Sequence, residues 1–185
     1  MDDDSVLVSA VLKGDHRAFC RLVQQHQRLV GHMVSRIVNR TEDCEDISQE
    51  VFLRVYQRLP TFRFQSKLST WIATLAYRTA LNYLKKEEKH TNESLAQVEK
   101  HSADQPDAAE QLDKKAVYAF VHEQIAHLPV HYRTVLTLFH LEEMSLAEIQ
   151  EITGMPAGTV KNYLFRARKL LKDRLQERYI NQELL

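Results

Sequence analysis

The sequence predicts an all-α protein of two small helical domains joined by a polar linker, the C-terminal one containing a helix-turn-helix. Three observations lead there. Apolar residues recur every three or four positions over most of the 185 residues, and no strand-like alternation of useful length interrupts them. Glycine and proline number only 4 each, too few for a chain built from tight turns. Between Lys85 and Gln111 the apolar pattern collapses into KKEEKHTNESLAQVEKHSADQPDAAEQ, a composition suited to a connection. The expected division is an N-terminal helical domain over residues 1–86, a linker over 87–111 and a C-terminal domain over 112–185.

Taken in order, a short helix over residues 6–13 opens the chain. A longer one over 15–38 repeats Phe19, Leu22, Val23, Leu29, Val30, Met33, Val34 and Ile37 at helical spacing, and residues 39–42 break it. The next begins at Glu45 or Asp46 and ends at Leu59, because Pro60 disfavours helical geometry in the residue before it. TFRFQSK, residues 61–67, is a short connection. Ser66 or Ser69 caps the helix that carries Trp71, Ile72, Leu75, Ala76, Ala80, Leu81 and Leu84. Beyond the linker, residues 112–128 resume the period through Ala116, Val117, Phe120, Val121, Ile125 and Leu128. Pro129 suits the first turn of a helix running to about Leu141. A short helix over 145–152, a turn at Gly154-Met155-Pro156 and a last helix over 157–179 complete the chain.

Composition excludes more than it assigns. Basic and acidic residues number 25 each, so bulk charge does not announce a nucleic-acid binder. The local balance does: residues 161–178 hold 7 basic residues against 2 acidic ones. Cys20 and Cys44 stand far apart without a second pair, which suggests neither a disulfide framework nor a cysteine zinc site. The acidic start MDDDSVLVSA lacks the basic and apolar regions of a signal peptide, and no apolar run reaches membrane-spanning length. A soluble, cytoplasmic chain without direct membrane insertion is expected. The 9 histidines are scattered, and no grouping of His, Cys, Asp and Glu asks for a metal, another cofactor or a catalytic role.

The strongest local motif is SLAEIQEITGMPAGTVKNYLFRARKLL. Ser145 precedes Glu148 by three, the capping-box spacing. Leu146, Ile149 and Ile152 form one apolar stripe, and Gly154 can end the helix in the left-handed conformation. A short helix, a glycine turn and a second helix are the parts of a helix-turn-helix. At 100° per residue, Val160, Tyr163, Leu164, Ala167, Leu170 and Leu171 share an inward side. Thr159, Lys161, Asn162, Phe165, Arg166, Arg168, Lys169 and Lys172 lie elsewhere. Arginine and lysine bind phosphates or the acceptor edge of guanine, asparagine pairs with adenine, and threonine or phenylalanine touches a thymine methyl. A basic face is usually just a solvated one; the glycine turn and the outward aromatic favour DNA here.

In DISQEVFLRVYQRL, Ile47, Val51, Phe52, Val55, Tyr56 and Leu59 share a broad face, and Asp46, Gln49, Glu50 and Gln57 the opposite one. Leu53 falls in the middle of the polar side. Single exposed leucines are common, but an apolar centre rimmed by acids and amides also describes a docking patch. In TFRFQSK, Phe62 and Phe64 are either platforms for unstacked bases, with Arg63 and Lys67 holding the backbone, or core anchors that pin the loop. Arg78, Lys85 and Lys86 give the next helix a basic edge.

With these segments in order, the chain resembles the extracytoplasmic-function group of the sigma-70 family over its whole length. DISQEVFLRVYQRL is similar to the family's segment for docking on the clamp helices of RNA polymerase. FRFQSKLSTWIATLAYRTALNYLKK is similar to its −10 melting and recognition segment, and the helix-turn-helix to its −35 reader. The resemblance implies polymerase contacts at Asp46, Gln49, Glu50 and Leu53. It implies −10 contacts at Phe64, Gln65, Ser66 and Lys67 in the base-capturing loop and at Arg78, Asn82, Tyr83 and Lys86 on the helix. It implies −35 contacts at Pro156, Thr159, Lys161, Asn162, Phe165, Arg166 and Arg168. Two departures from the family stand out. An aspartate and an arginine frequent near the end of the −10 helix are replaced by Asn82 and by Lys85 or Lys86, and Phe165 stands where relatives often have a smaller or more polar residue. The resemblance, without a further domain before Met1 or after Leu185, is to the minimal two-domain members. It implies a non-catalytic initiation factor whose partners are core RNA polymerase and promoter DNA, with a membrane-associated anti-sigma factor as a candidate third. The rival readings are a helix-turn-helix regulator independent of core polymerase, which would give symmetric dimer footprints, and a helical adaptor that binds only proteins.

Overall fold

The computed structural model describes residues 3–38, 40–93, 120–121 and 123–183, and among these there is no strand. In the N-terminal domain α1 (Asp3–Leu12) leads into α2 (His16–Ser35) through a turn. Asp15 caps α2: its Oδ1 accepts from the backbone N–H groups of Arg17 at 2.8 Å and Ala18 at 3.2 Å, satisfying donors the first turn cannot. The face of α2 carrying Ala18, Leu22, Leu29, Val30, Met33 and Val34 is buried. The third helix, α3 (Thr41–Arg58), starts four or five residues earlier than its apolar pattern suggests. Its first turn holds Glu42 and Asp43, whose charges favour a helix N-terminus without needing an apolar face. A 3₁₀ turn over Leu59–Thr61, with Pro60 inside it, ends the element where expected.

The fourth helix, α4 (Leu68–Glu93), begins directly after Lys67, so neither Ser66 nor Ser69 occupies the capping position. It also runs seven residues past the expected domain boundary at residue 86. Its last turns are rich in Lys and Glu, which continue a helix by propensity when no face needs burying. The remainder of the expected linker, and residues 112–119 of the helix expected after it, lie outside the described residues.

In the C-terminal domain residues 120–121 and 123–126 are helical. Pro129 stands just outside α5 (Val130–His140) as its cap, one position before the first turn. Then come α6 (Leu146–Thr153) and α7 (Ala157–Glu183), the latter four residues longer than its sequence pattern suggests. Ser145 and Glu148 form both halves of the capping box. Gly154 ends α6 at φ 71°, a backbone angle glycine adopts without steric cost.

The inward side of α7 buries Val160, Leu164 and Ala167 as expected, but Leu170 is 38% exposed. Leu171 takes its place, packing with Tyr132 on a small cluster of Leu128, Leu136 and Ala167. The two domains touch. α6 lies on α4, α5 meets α2, and one continuous apolar cluster includes Leu75 and Ala76 of α4 together with Ile149 and Ile152 of α6.

Candidate nucleic-acid interface

The amphipathic pattern of α3 turns Ile47, Val51 and Val55 into the core. Its opposite side leaves Asp46, Gln49 and Glu50 in solvent, with Leu53 62% exposed among them. Glu50 is drawn toward Arg54 at i+4, whose Nε donates to its carboxylate at 2.9 Å. Tyr56, expected on the inner face, is also largely exposed and packs edge-on against Phe19 at 4.9 Å between centroids.

The loop before α4 separates two phenylalanines that the sequence could not. Phe62 is 8% exposed and sits 5.3 Å from the Trp71 ring, so it pins the loop to the bundle. Phe64 is 51% exposed at φ 57°, a conformation unusual for a bulky side chain. Its ring rests on Phe62 at 4.7 Å and leaves a face to solvent. Gln65 is exposed and Ser66 half-buried. Lys67 points to α6, its Nζ 2.9 Å from Oε1 of Glu148.

On α4, Arg78, Asn82 and Lys85 follow each other at i, i+4 and i+7 and share one exposed face. They line a cleft of about 290 Å³ whose opposite wall includes Ile152, Thr153 and Gly154 at the end of α6. Lys85, which the sequence places on a basic edge with Arg78 and Lys86 but outside the −10 set, shares this face. Lys86 is exposed beside it, whereas Tyr83 turns toward α3. Desolvation, followed by a hydrogen bond to Asp43, pushes the Tyr83 phenol up to about 12.

On α7, Lys161, Asn162, Phe165 and Arg166 are all exposed, and Phe165 at 68% is the barest large apolar side chain described. Pro156 is exposed just before the helix, and Thr159 is half-buried. Arg168 behaves differently. Its guanidinium lies 5.1 Å from the centroid of the Phe139 ring, and its Nε donates to His140 at 3.1 Å. Desolvation and then this cation keep the His140 imidazole below its ordinary range, so it accepts the bond as a neutral ring. Arg168 is thereby held against α5 near the edge of the exposed face.

Glu148 is the densest polar junction. Its Oε2 accepts from the Ser145 backbone at 2.8 Å and the Ser145 hydroxyl at 2.6 Å. Its Oε1 faces Lys67 and accepts from Thr70 of α4 at 3.4 Å. The Ser145 hydroxyl, the Lys67 ammonium and the Ser145 N–H together hold this carboxyl down to about 2. A second bridge joins His32 of α2 to Glu142 at 2.5 Å across 110 residues of sequence. Among the described residues no cluster of His, Cys, Asp and Glu is arranged to hold a metal, and no helix is long and apolar enough to cross a membrane.

A helical bundle joined to a helix-turn-helix places the chain among two-domain DNA-binding transcription factors. Residues 22–90 match Sigma-70 region 2, and residues 121–171 match Sigma-70, region 4. The chain is 33% identical to an ECF RNA polymerase sigma-E factor of Haemophilus influenzae over 94% of its length and 95% of the relative's. It is 32% identical to an RNA polymerase sigma-H factor of Pseudomonas aeruginosa, covering 95% of each chain. The sigma factor RpoE of Bartonella quintana, solved in complex with the anti-sigma factor NepR, shares the fold at a TM-score of 0.72 and 18% identity. That match covers 85% of this chain and 96% of the other. The chain belongs to the sigma-70 family, in its extracytoplasmic-function group, and is an RNA polymerase sigma factor that directs the enzyme to promoters.

Proposed function

We propose that this sigma factor works as a non-catalytic specificity subunit in the cytoplasm, with its contacts divided among three surfaces. Asp46, Gln49, Glu50 and Leu53 dock on core RNA polymerase. Phe64, Gln65, Ser66 and Lys67 capture an extruded base of the −10 element while Arg78, Asn82, Tyr83 and Lys86 approach its backbone and edges. Pro156, Thr159, Lys161, Asn162, Phe165, Arg166 and Arg168 stand in or beside the −35 groove. The observation that carries this reading is the coexistence of an outward aromatic and basic loop at Phe64 with an outward recognition helix at Lys161–Arg166, one in each domain.

The chemistry of each surface fits its task. Exposed Arg166 and Asn162 suit guanine and adenine edges in the major groove of duplex DNA. The exposed Phe64 ring suits stacking on an unpaired base, which the duplex releases at a cost of a few kcal/mol. Arg168, braced on Phe139 and His140, acts as a positioning residue at the groove edge. The helical bundle that ends with α4 and the helix-turn-helix domain are the two working parts, and an anti-sigma factor is a further partner, as one was captured with the Bartonella quintana relative.

Run-off transcription with purified core polymerase tests the proposal. Adding this chain to core enzyme on a promoter library creates specific start sites; an active core enzyme that gains none overturns the reading.

A further inference from the structure

One edge of α7 carries a row of cations. At about 100° per residue, Lys161, Arg168 and Lys172 fall close together on the helix, where the exposed face borders the buried one. Arg168 in this row is held from α5. Its Nε donates to Nε2 of His140 at 3.1 Å, and its guanidinium lies 5.1 Å from the centroid of the Phe139 ring. The two rings meet edge-on at 5.0 Å, so they form one brace. The brace carries no charge: a neutral imidazole accepts the hydrogen bond and a phenyl face attracts the cation. Among the described residues no carboxylate pairs with Arg168. The guanidinium therefore keeps its whole charge, and the brace leaves its Nη groups for another acceptor.

We infer that His140 and Phe139 are positioning residues that preset the Arg168 guanidinium, without neutralising it, for a backbone phosphate beside the −35 groove. This rests on the −35 reading proposed above. A long side chain fixed only on binding loses its rotamer freedom at that moment, which lowers affinity by about two- to tenfold; fixing it beforehand avoids that loss. Lys172, one turn on, repels Arg168, and the brace keeps the guanidinium in the row against that repulsion. A carboxylate at position 140 would hold Arg168 more tightly but cancel the charge that a phosphate meets.

Holoenzyme reassembled from core polymerase and each variant tests this. It is titrated at several salt concentrations onto a promoter the unaltered chain uses, and onto the same duplex with its upstream element scrambled. Arg168→Ala should weaken both by a similar factor and reduce the salt slope by about one unit, the signature of a phosphate contact. His140 is exposed at the last residue of α5, so replacing it leaves the core intact. His140→Ala should weaken binding by about two- to tenfold, and His140→Gln, which keeps an uncharged acceptor, should recover most of that loss. Adding His140→Ala to Arg168→Ala should cost nothing further, because the brace acts through Arg168. His140→Glu should lower both affinity and salt slope, although it offers Arg168 the stronger partner. A glutamine variant as weak as alanine, additive losses in the double variant, or a glutamate variant that binds as the unaltered chain does would each overturn the inference. Unchanged binding by Arg168→Ala would overturn the placing of Arg168 on DNA itself, and the inference with it.

Discussion

Phe64 combines an exposed ring with a backbone angle of φ 57°, which costs a non-glycine residue on the order of 1–3 kcal/mol when the surroundings impose it. Ring and backbone can be tested apart. Phe64→Ala and Phe64→Gly both remove the stacking surface, and each should weaken capture of single-stranded −10 DNA by about 1–3 kcal/mol. Only glycine relieves the backbone, so Phe64→Gly should melt above Phe64→Ala. Oligonucleotide titration and thermal denaturation of the pair check both halves; equal melting temperatures would place the strain elsewhere. Glu148 offers a second test. Its carboxyl is held at about 2 against an ordinary value of 4.5, so the folded state favours its ionised form. The stabilisation is present above about 4.5 and drains away as pH falls toward about 2. In Glu148→Gln that part of the acid dependence should flatten, measurable by urea unfolding at a series of pH values. The capping role of Glu148 was readable from its spacing to Ser145, but neither its pairing with Lys67 nor the side to which Phe64 turns was. Phe62 and Phe64 are two apart in an irregular loop, where no helical period assigns sides. Lys67 and Glu148 come from different domains, and no spacing rule joins them.

At the scale of elements, local chemistry was legible wherever a boundary had a dedicated residue. Ser145 with Glu148 and Gly154 announced both ends of α6, and the structure has each in its expected part. Where no such residue exists, the apolar pattern misled: α3 starts early on Glu42 and Asp43, and α4 continues through Lys85 and Lys86 after its last buried turn. The outward face of α7 was read correctly for Lys161, Asn162, Phe165 and Arg166, while Leu170 went astray because Leu171 fills the adjacent cluster. This face carries a graded expectation. Arg166→Ala should lose about 1–3 kcal/mol of discrimination at the upstream element. Lys172 is exposed nearly two turns further on, so Lys172→Ala should lower affinity for any duplex and reduce the salt slope by about one unit. Binding titrations on cognate and scrambled duplexes at several salt concentrations separate the two. Equal losses on both duplexes for Arg166→Ala would show that it meets phosphate rather than a base.

For the whole molecule, the legible part was the inventory: two helical domains, a helix-turn-helix in the second, and a polar face with a leucine at its centre. What the sequence leaves open is how the domains sit against each other, because that depends on His32 meeting Glu142 and on small apolar contacts between α4 and α6. The proposed polymerase surface around Leu53 is testable at this scale because Leu53 is exposed and stands outside the core. Leu53→Asp places a charge on an exposed position, so helix content and melting should be preserved. If Leu53 is one of the few contacts that carry the binding energy, each worth more than about 1 kcal/mol, retention on immobilised core enzyme should drop at least about fivefold. Circular dichroism beside the pull-down keeps the cause clear, and unchanged retention would move the docking site off α3.

The apolar cluster shared by α4 and α6 also has a consequence for how the molecule comes apart. Leu75 and Ala76 of one domain and Ile149 and Ile152 of the other bury one another's surface, so neither domain loosens without exposing apolar area in its neighbour. A change that weakens the packing of the helix-turn-helix is therefore felt as lost stability in the N-terminal bundle as well.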